Sequence, residues 1–127
     1  MPIIETYVQS SEKTYKEEAL RLGAKEFLHV TENGEAVKRI VEIMRNHPKD
    51  VRALVAEDHQ SFGPFLERTI QREADRRCLL VCNYAQLEYE YEDFTIGLFK
   101  DRKAVLFLDV ELGGEKTGLD FLRDKFK

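Results

Sequence analysis

The residues best equipped for chemistry are Glu57, Asp58 and His59. They follow the apolar run Val51–Ala56 and precede a helical pattern. A histidine beside two carboxylates can work as an acid–base pair or ligate a metal. Ser61 stands at the start of that helix, where backbone N–H groups can hold an anion. Asp109 and Glu111 close another apolar run, Ala104–Val110. Residues two apart on a strand point the same way. With Glu57 or Asp58 they can chelate Mg²⁺ for phosphoryl chemistry. The plain alternatives are a polar connecting loop with a helix cap, and a strand end turning into solvent.

Three further groups hold residue types suited to chemistry. Gly113-Gly114-Glu115-Lys116-Thr117-Gly118 places a Lys-Thr pair after glycines and before a helix. A phosphate loop needs glycine directly before the lysine, and Glu115 stands there, so the segment reads as a flexible turn. Cys78 and Cys82 follow Arg76-Arg77. On one strand they lie about 13 Å apart and cannot bond to each other. The arginines can activate Cys78, but buried structural cysteines are the expected reading. Tyr84, Tyr89, Tyr91 and Phe94 alternate with Glu88, Glu90, Glu92 and Asp93. Such an acidic aromatic patch suits a cationic small molecule or a basic protein, or protects a sheet edge by charge. The tyrosines and Ser61 are the candidate ligand-binding residues.

The elements that position these groups alternate along the chain. Apolar runs at Ile3–Val8, Phe27–Val30, Val51–Ala56, Leu79–Val81 and Ala104–Val110 take turns with helical patterns, which predicts α/β architecture in two or three layers. Helices are expected at Glu12–Leu22, Glu35–Asn46, Pro64–Arg77 and Gly118–Phe126. The second has an apolar stripe of Val37, Ile40, Val41 and Met44, with Asn33 as its cap. Thr117 and Asp120 form a capping box for the last. Leu87–Tyr91 alternates strictly and reads as a strand. Phe94–Phe99 continues it, Lys100–Lys103 turns, and Ala104–Leu108 returns. The sheet is therefore expected to be mixed, mainly parallel and ending in an antiparallel hairpin.

The bounds are a single domain over residues 1–127, 43% apolar and 35% charged, with net charge −4. The acidic balance makes nucleic acid an unlikely partner. Two separated cysteines predict a reduced, cytoplasmic protein. The start lacks a basic n-region and no apolar run is long enough to span a bilayer, so neither a signal peptide nor a membrane segment is expected. No resident metal or cofactor has a signature here. Few Asn and Gln residues beside many Glu, Lys and Arg lean toward heat stability.

The order of helix, strand, hairpin and short final helix is similar to compact sensory modules of bacterial and archaeal regulators. Some of those resemble inactive relatives of phospholipase D. The complete signature H-x-K-x4-D is absent, so the resemblance assigns no residue.

The leading expectation is a ligand- or partner-binding regulatory module without catalytic activity. A homodimer through the 87–110 hairpin is also expected, because an edge strand in so small a domain leaves one face uncovered. The alternative is a small metal-dependent hydrolase or phosphoryl-transfer enzyme using Glu57, Asp58, His59 and Asp109. The two diverge on one observation. If these four side chains meet within about 5 Å in one pocket, their charges shift one another's pKa and the enzyme gains.

Overall fold

The five apolar runs form five strands: β1 (Ile3–Ser10), β2 (Glu26–His29), β3 (Arg52–Ala56), β4 (Cys78–Val81) and β5 (Ala104–Asp109). The structure, a computed structural model, describes residues 3–125. The strands lie in the order β2-β1-β5-β3-β4, and every neighbouring pair is parallel. The helices are α1 (Lys16–Arg21), α2 (Glu35–Arg45), α3 (Phe62–Thr69), α4 (Tyr84–Thr95) and α5 (Gly118–Lys125).

Three layers result, because alternate strand residues face opposite ways. Val8, Leu106, Leu108 and Leu54 pack with Ala19 of α1, Leu87 and Phe94 of α4, and Phe121 of α5. Tyr7, Phe107 and Val55 pack with Ile40 and Met44 of α2 and Leu66 of α3. Of the expected α2 stripe, Ile40, Val41 and Met44 are buried and Val37 is half-buried. The N-cap of α2 is Gly34, with a left-handed backbone at φ 76°, rather than the expected Asn33, which stands one residue earlier and whose Oδ1 accepts from Glu35 N at 3.0 Å. The Thr117–Asp120 capping box is present, with Thr117 N donating to Asp120 at 2.8 Å and Asp120 N to Thr117 Oγ1 at 3.2 Å. Phe126, the last residue of the helix expected over Gly118–Phe126, lies outside the described residues.

The antiparallel hairpin does not exist. Leu87–Tyr91 lies within α4, and the chain after Thr95 is turn rather than strand. The alternation of Glu with Leu and Tyr hides a second period. Tyr84, Leu87, Tyr91 and Phe94 recur at helical spacing, and all four pack into the core beside α5. Asn83 caps the helix by accepting from Gln86 N at 2.9 Å. With a helix between β4 and β5, the chain crosses over and β5 enters the sheet parallel. The dimer expected through that hairpin loses the strand on which it rested.

Smaller differences follow similar logic. The first helix begins as a 3-10 turn, Lys13–Tyr15. Helix α3 passes into a π-helical turn, Ile70–Ala74, and ends at Asp75, which has a left-handed backbone with φ 54°. Arg76, within the helix expected over Pro64–Arg77, instead lies beyond its end and is buried, while Phe65 within α3 is exposed.

Candidate functional site

Strand order places the site. From β1 the chain proceeds to β2 on one side, and from β3 to β4 on the other, with β5 inserted between them. In open parallel sheets, ligands bind beyond the carboxyl ends of strands where the order diverges. In this chain the row Tyr7–Phe107–Val55 is apolar and in register. Two residues further along each strand, the same alternation brings Gln9, Asp109 and Glu57. A polar row thus ends an apolar one.

Oxygen atoms from Glu57, Asp58 and Asp109 lie within 4.8 Å of one another. They line a cavity of about 500 Å³ together with Ser10, His59 and Phe62. Glu32 and Glu111 stand on its wall as well, and no lysine or arginine does among the described residues. Glu57 is buried, yet both of its oxygens are served. Gln9 Nε2 donates to Oε1 at 3.3 Å and His59 N to Oε2 at 3.2 Å. Gln9 is fully buried, and its own Oε1 has no partner.

The electrostatics follow from this crowding. Burial, a hydrogen bond with Glu57 and the Glu57 charge push the Asp109 carboxyl up to about 9, against a weaker pull from the Glu111 backbone N–H. At neutral pH, Asp109 therefore holds a proton between itself and Glu57. His59 lines the same cavity, but its Nδ1 accepts from Ser61 N at 3.2 Å and from Phe62 N at 3.1 Å. The ring proton is thereby directed to Nε2. His59 can donate from Nε2, and Nδ1 is already spent as the cap of α3.

Of the four residues proposed to converge, the three carboxylates do so and His59 borders them. Glu111 lies past the end of β5 and outside the tight cluster. Gln9 was not singled out from sequence, since one glutamine in an apolar strand carries no pattern. The glycine loop adjoins the site by another route. Gly113 has φ 73°, and a Cβ there would come within 2.9 Å of Asp58 Oδ2. Lys116 points elsewhere, over the Tyr84 ring and toward Asp124 at 3.9 Å.

The other candidates are dispersed. Tyr84 and Tyr91 pack against Phe121, while Tyr89 is exposed. Ser61 is exposed at the start of α3. Burial and the Glu67 charge push the Cys78 thiol up to about 12, which opposes thiolate formation. Cys82 is exposed, just past β4. His47-Pro48-Lys49 supplies the first half of the phospholipase signature, but Leu54 stands where its aspartate belongs. Its ring is held by Ile43 O at 2.8 Å and Glu5 at 2.7 Å, away from the carboxylates. Among the described residues, no helix is long and apolar enough to cross a membrane. Comparison with family models, with curated proteins and with solved structures finds no match to this chain.

Proposed function

We propose that this chain is a small divalent-cation-dependent enzyme acting on a phosphate ester, by hydrolysis or phosphoryl transfer. The observation that carries the reading is the convergence of Glu57, Asp58 and Asp109 at the diverging carboxyl ends of β3 and β5. Two oxygens on one cation stand up to about twice the metal–oxygen distance apart, about 4.2 Å for Mg²⁺ and about 5 Å for Ca²⁺. Separations within 4.8 Å thus need only side-chain rotation to close on an ion.

A cation explains what the bare cavity leaves unbalanced. Five carboxylates with no lysine or arginine would repel a phosphate. Glu57, Asp58 and Asp109 would hold a Mg²⁺ or Mn²⁺, which would reverse that sign and supply Lewis-acid polarisation of a phosphoryl oxygen and of water, with Asp109 giving up its proton to serve as a ligand. His59 Nε2–H is available as a donor to a phosphoryl oxygen, and the cavity has room for a small ester.

The test is titration calorimetry with Mg²⁺ and Mn²⁺, followed by hydrolysis of bis(p-nitrophenyl) phosphate with Mn²⁺ present. Saturable cation binding and turnover are expected, and both should vanish in Asp109→Asn and Glu57→Gln. Binding without turnover on any phosphomonoester or diester would return the chain to the class of binding modules. No cation binding would remove the site.

A further inference from the structure

At the opposite end of the sheet the charge reverses. Arg52 begins β3, Arg77 precedes β4, and Arg102 and Lys103 precede β5. Parallel strands bring all three starts together. Among the described residues, none of these four cations has an ion-pair partner. Two adjoining cavities, about 820 and 450 Å³, share Lys49, Arg52 and Arg77 in their walls. The larger has an apolar side that includes Phe94 and Phe99, while Arg102 and Lys103 line the smaller.

We propose that these joined cavities bind a phosphate-bearing small molecule of about nucleotide size, its phosphates on Arg52, Arg77 and Arg102 and its organic part against Phe94 and Phe99. Arg76 supplies an independent indication. It is nine-tenths buried on the wall of the larger cavity, and among the described residues it is bonded only to the carbonyls of Ala74, Asp75 and His47 and its Nε has no partner. A buried guanidinium without a carboxylate calls for a counter-anion. Arg52 is under similar pressure, since burial and then the charges of Arg102 and Arg77 pull its pKa down. The guanidinium groups of Arg52 and Arg102 flank Phe99 at 5.9 and 4.9 Å from its centroid, which fixes them beside the apolar wall.

The carboxylates nearby do not cancel this charge. Asp75 is held by Lys49 at 3.2 Å. Asp50 and Asp101 lie on the wall of the smaller cavity, and neither forms a described ion pair. Glu90 faces the larger cavity, and its pKa is raised by burial and by Asp93 rather than lowered by an arginine. A long polyanion is disfavoured by the net charge of −4, whereas a small one can enter a concave basic pocket. This site is distinct from the carboxylate centre. The length of β5 separates them, five residue steps or about 17 Å.

The experiment is titration calorimetry of the intact chain with ADP and with inorganic pyrophosphate, in EDTA so that the carboxylate centre takes no part. Saturable binding of both is expected, with ADP the tighter if the apolar wall is used. Arg77→Ala with Arg102→Ala, both exposed in the wild type, should weaken each ligand by about tenfold or more, the loss of two charge-assisted contacts. Arg77→Lys with Arg102→Lys should restore much of it. Pyrophosphate binding as tightly as ADP would still place an anion there and would confine the contact to its phosphates. The proposal is overturned if neither ligand saturates by millimolar concentration or if the alanine pair binds like wild type. Tight binding of a single-stranded oligonucleotide that pyrophosphate cannot displace would equally overturn it, in favour of a polymer surface.

Discussion

Asp109→Asn tests the proton shared at the candidate site. Asparagine keeps the shape and offers an N–H donor to Glu57, so the hydrogen bond survives while the titration disappears. The wild-type carboxyl has its pKa raised from 3.8 to about 9 by burial and by Glu57. An acid raised on folding stays protonated in the folded chain where the unfolded chain has already lost its proton. Its contribution to stability is full below the unfolded value and is lost as pH rises through the folded one. The slope cannot exceed about 1.4 kcal/mol per pH unit, so the loss between pH 6 and pH 8 is at most about 2.7 kcal/mol. Urea unfolding at pH 6, 7 and 8 without divalent cations measures it. The wild type should lose stability across this range, and Asp109→Asn should lose clearly less. Mn²⁺ at a hundred times its dissociation constant should restore about 2.7 kcal/mol to the wild type at pH 8 and little to the variant. Parallel pH profiles for the two proteins would refute the reasoning.

Ile40→Ala should cost about 2–5 kcal/mol in urea unfolding, because Ile40 is fully buried between α2 and the sheet. Gly118→Ala should lower Tm markedly and weaken Mn²⁺ binding together, since a Cβ there would meet Asp109 O at 2.2 Å and Leu108 Cγ at 2.9 Å. A normal Tm for that variant would mean that the α5 start does not brace the end of β5. Cys82 should react with iodoacetamide in the native protein and Cys78 should not, as mass mapping would show, because one thiol is exposed and the other is pushed up to about 12 by burial.

The parts of the fold that could be read from sequence were those whose pattern had one interpretation. Ala104–Leu108 is apolar throughout, which only a central, doubly covered strand requires. Helix α2 repeats its apolar residues at helical spacing, and no strand period competes. Tyr84–Thr95 carried two periods at once. The strict alternation of Glu with Leu and Tyr hid the contacts of Leu87, Tyr91 and Phe94 with α5 and the core, which only the tertiary structure supplies. The error spread, because reading a strand there made β5 the antiparallel return arm of a hairpin.

The site depended on that same strand. Glu57, Asp58 and Asp109 could each be recognised as a polar residue at the end of an apolar run, but 52 positions separate Glu57 from Asp109. Their meeting requires β5 to lie between β1 and β3 with Ala56 beside Leu108, and Gln9 joins only because it pairs with Asp109 on the other side. Parallel insertion of β5 has a second effect, which ties the two ends of the sheet together. It aligns the strand starts, and so gathers Arg52, Arg77, Arg102 and Lys103, by the geometry that gathers the carboxylates at the strand ends. An antiparallel β5 would have exchanged its ends, setting Arg102 and Lys103 near Glu57 and Asp109 near Arg52 as neutralising pairs. The all-parallel sheet keeps the charges segregated, and that segregation leaves a cavity walled by carboxylates at one end and cavities walled by arginines at the other.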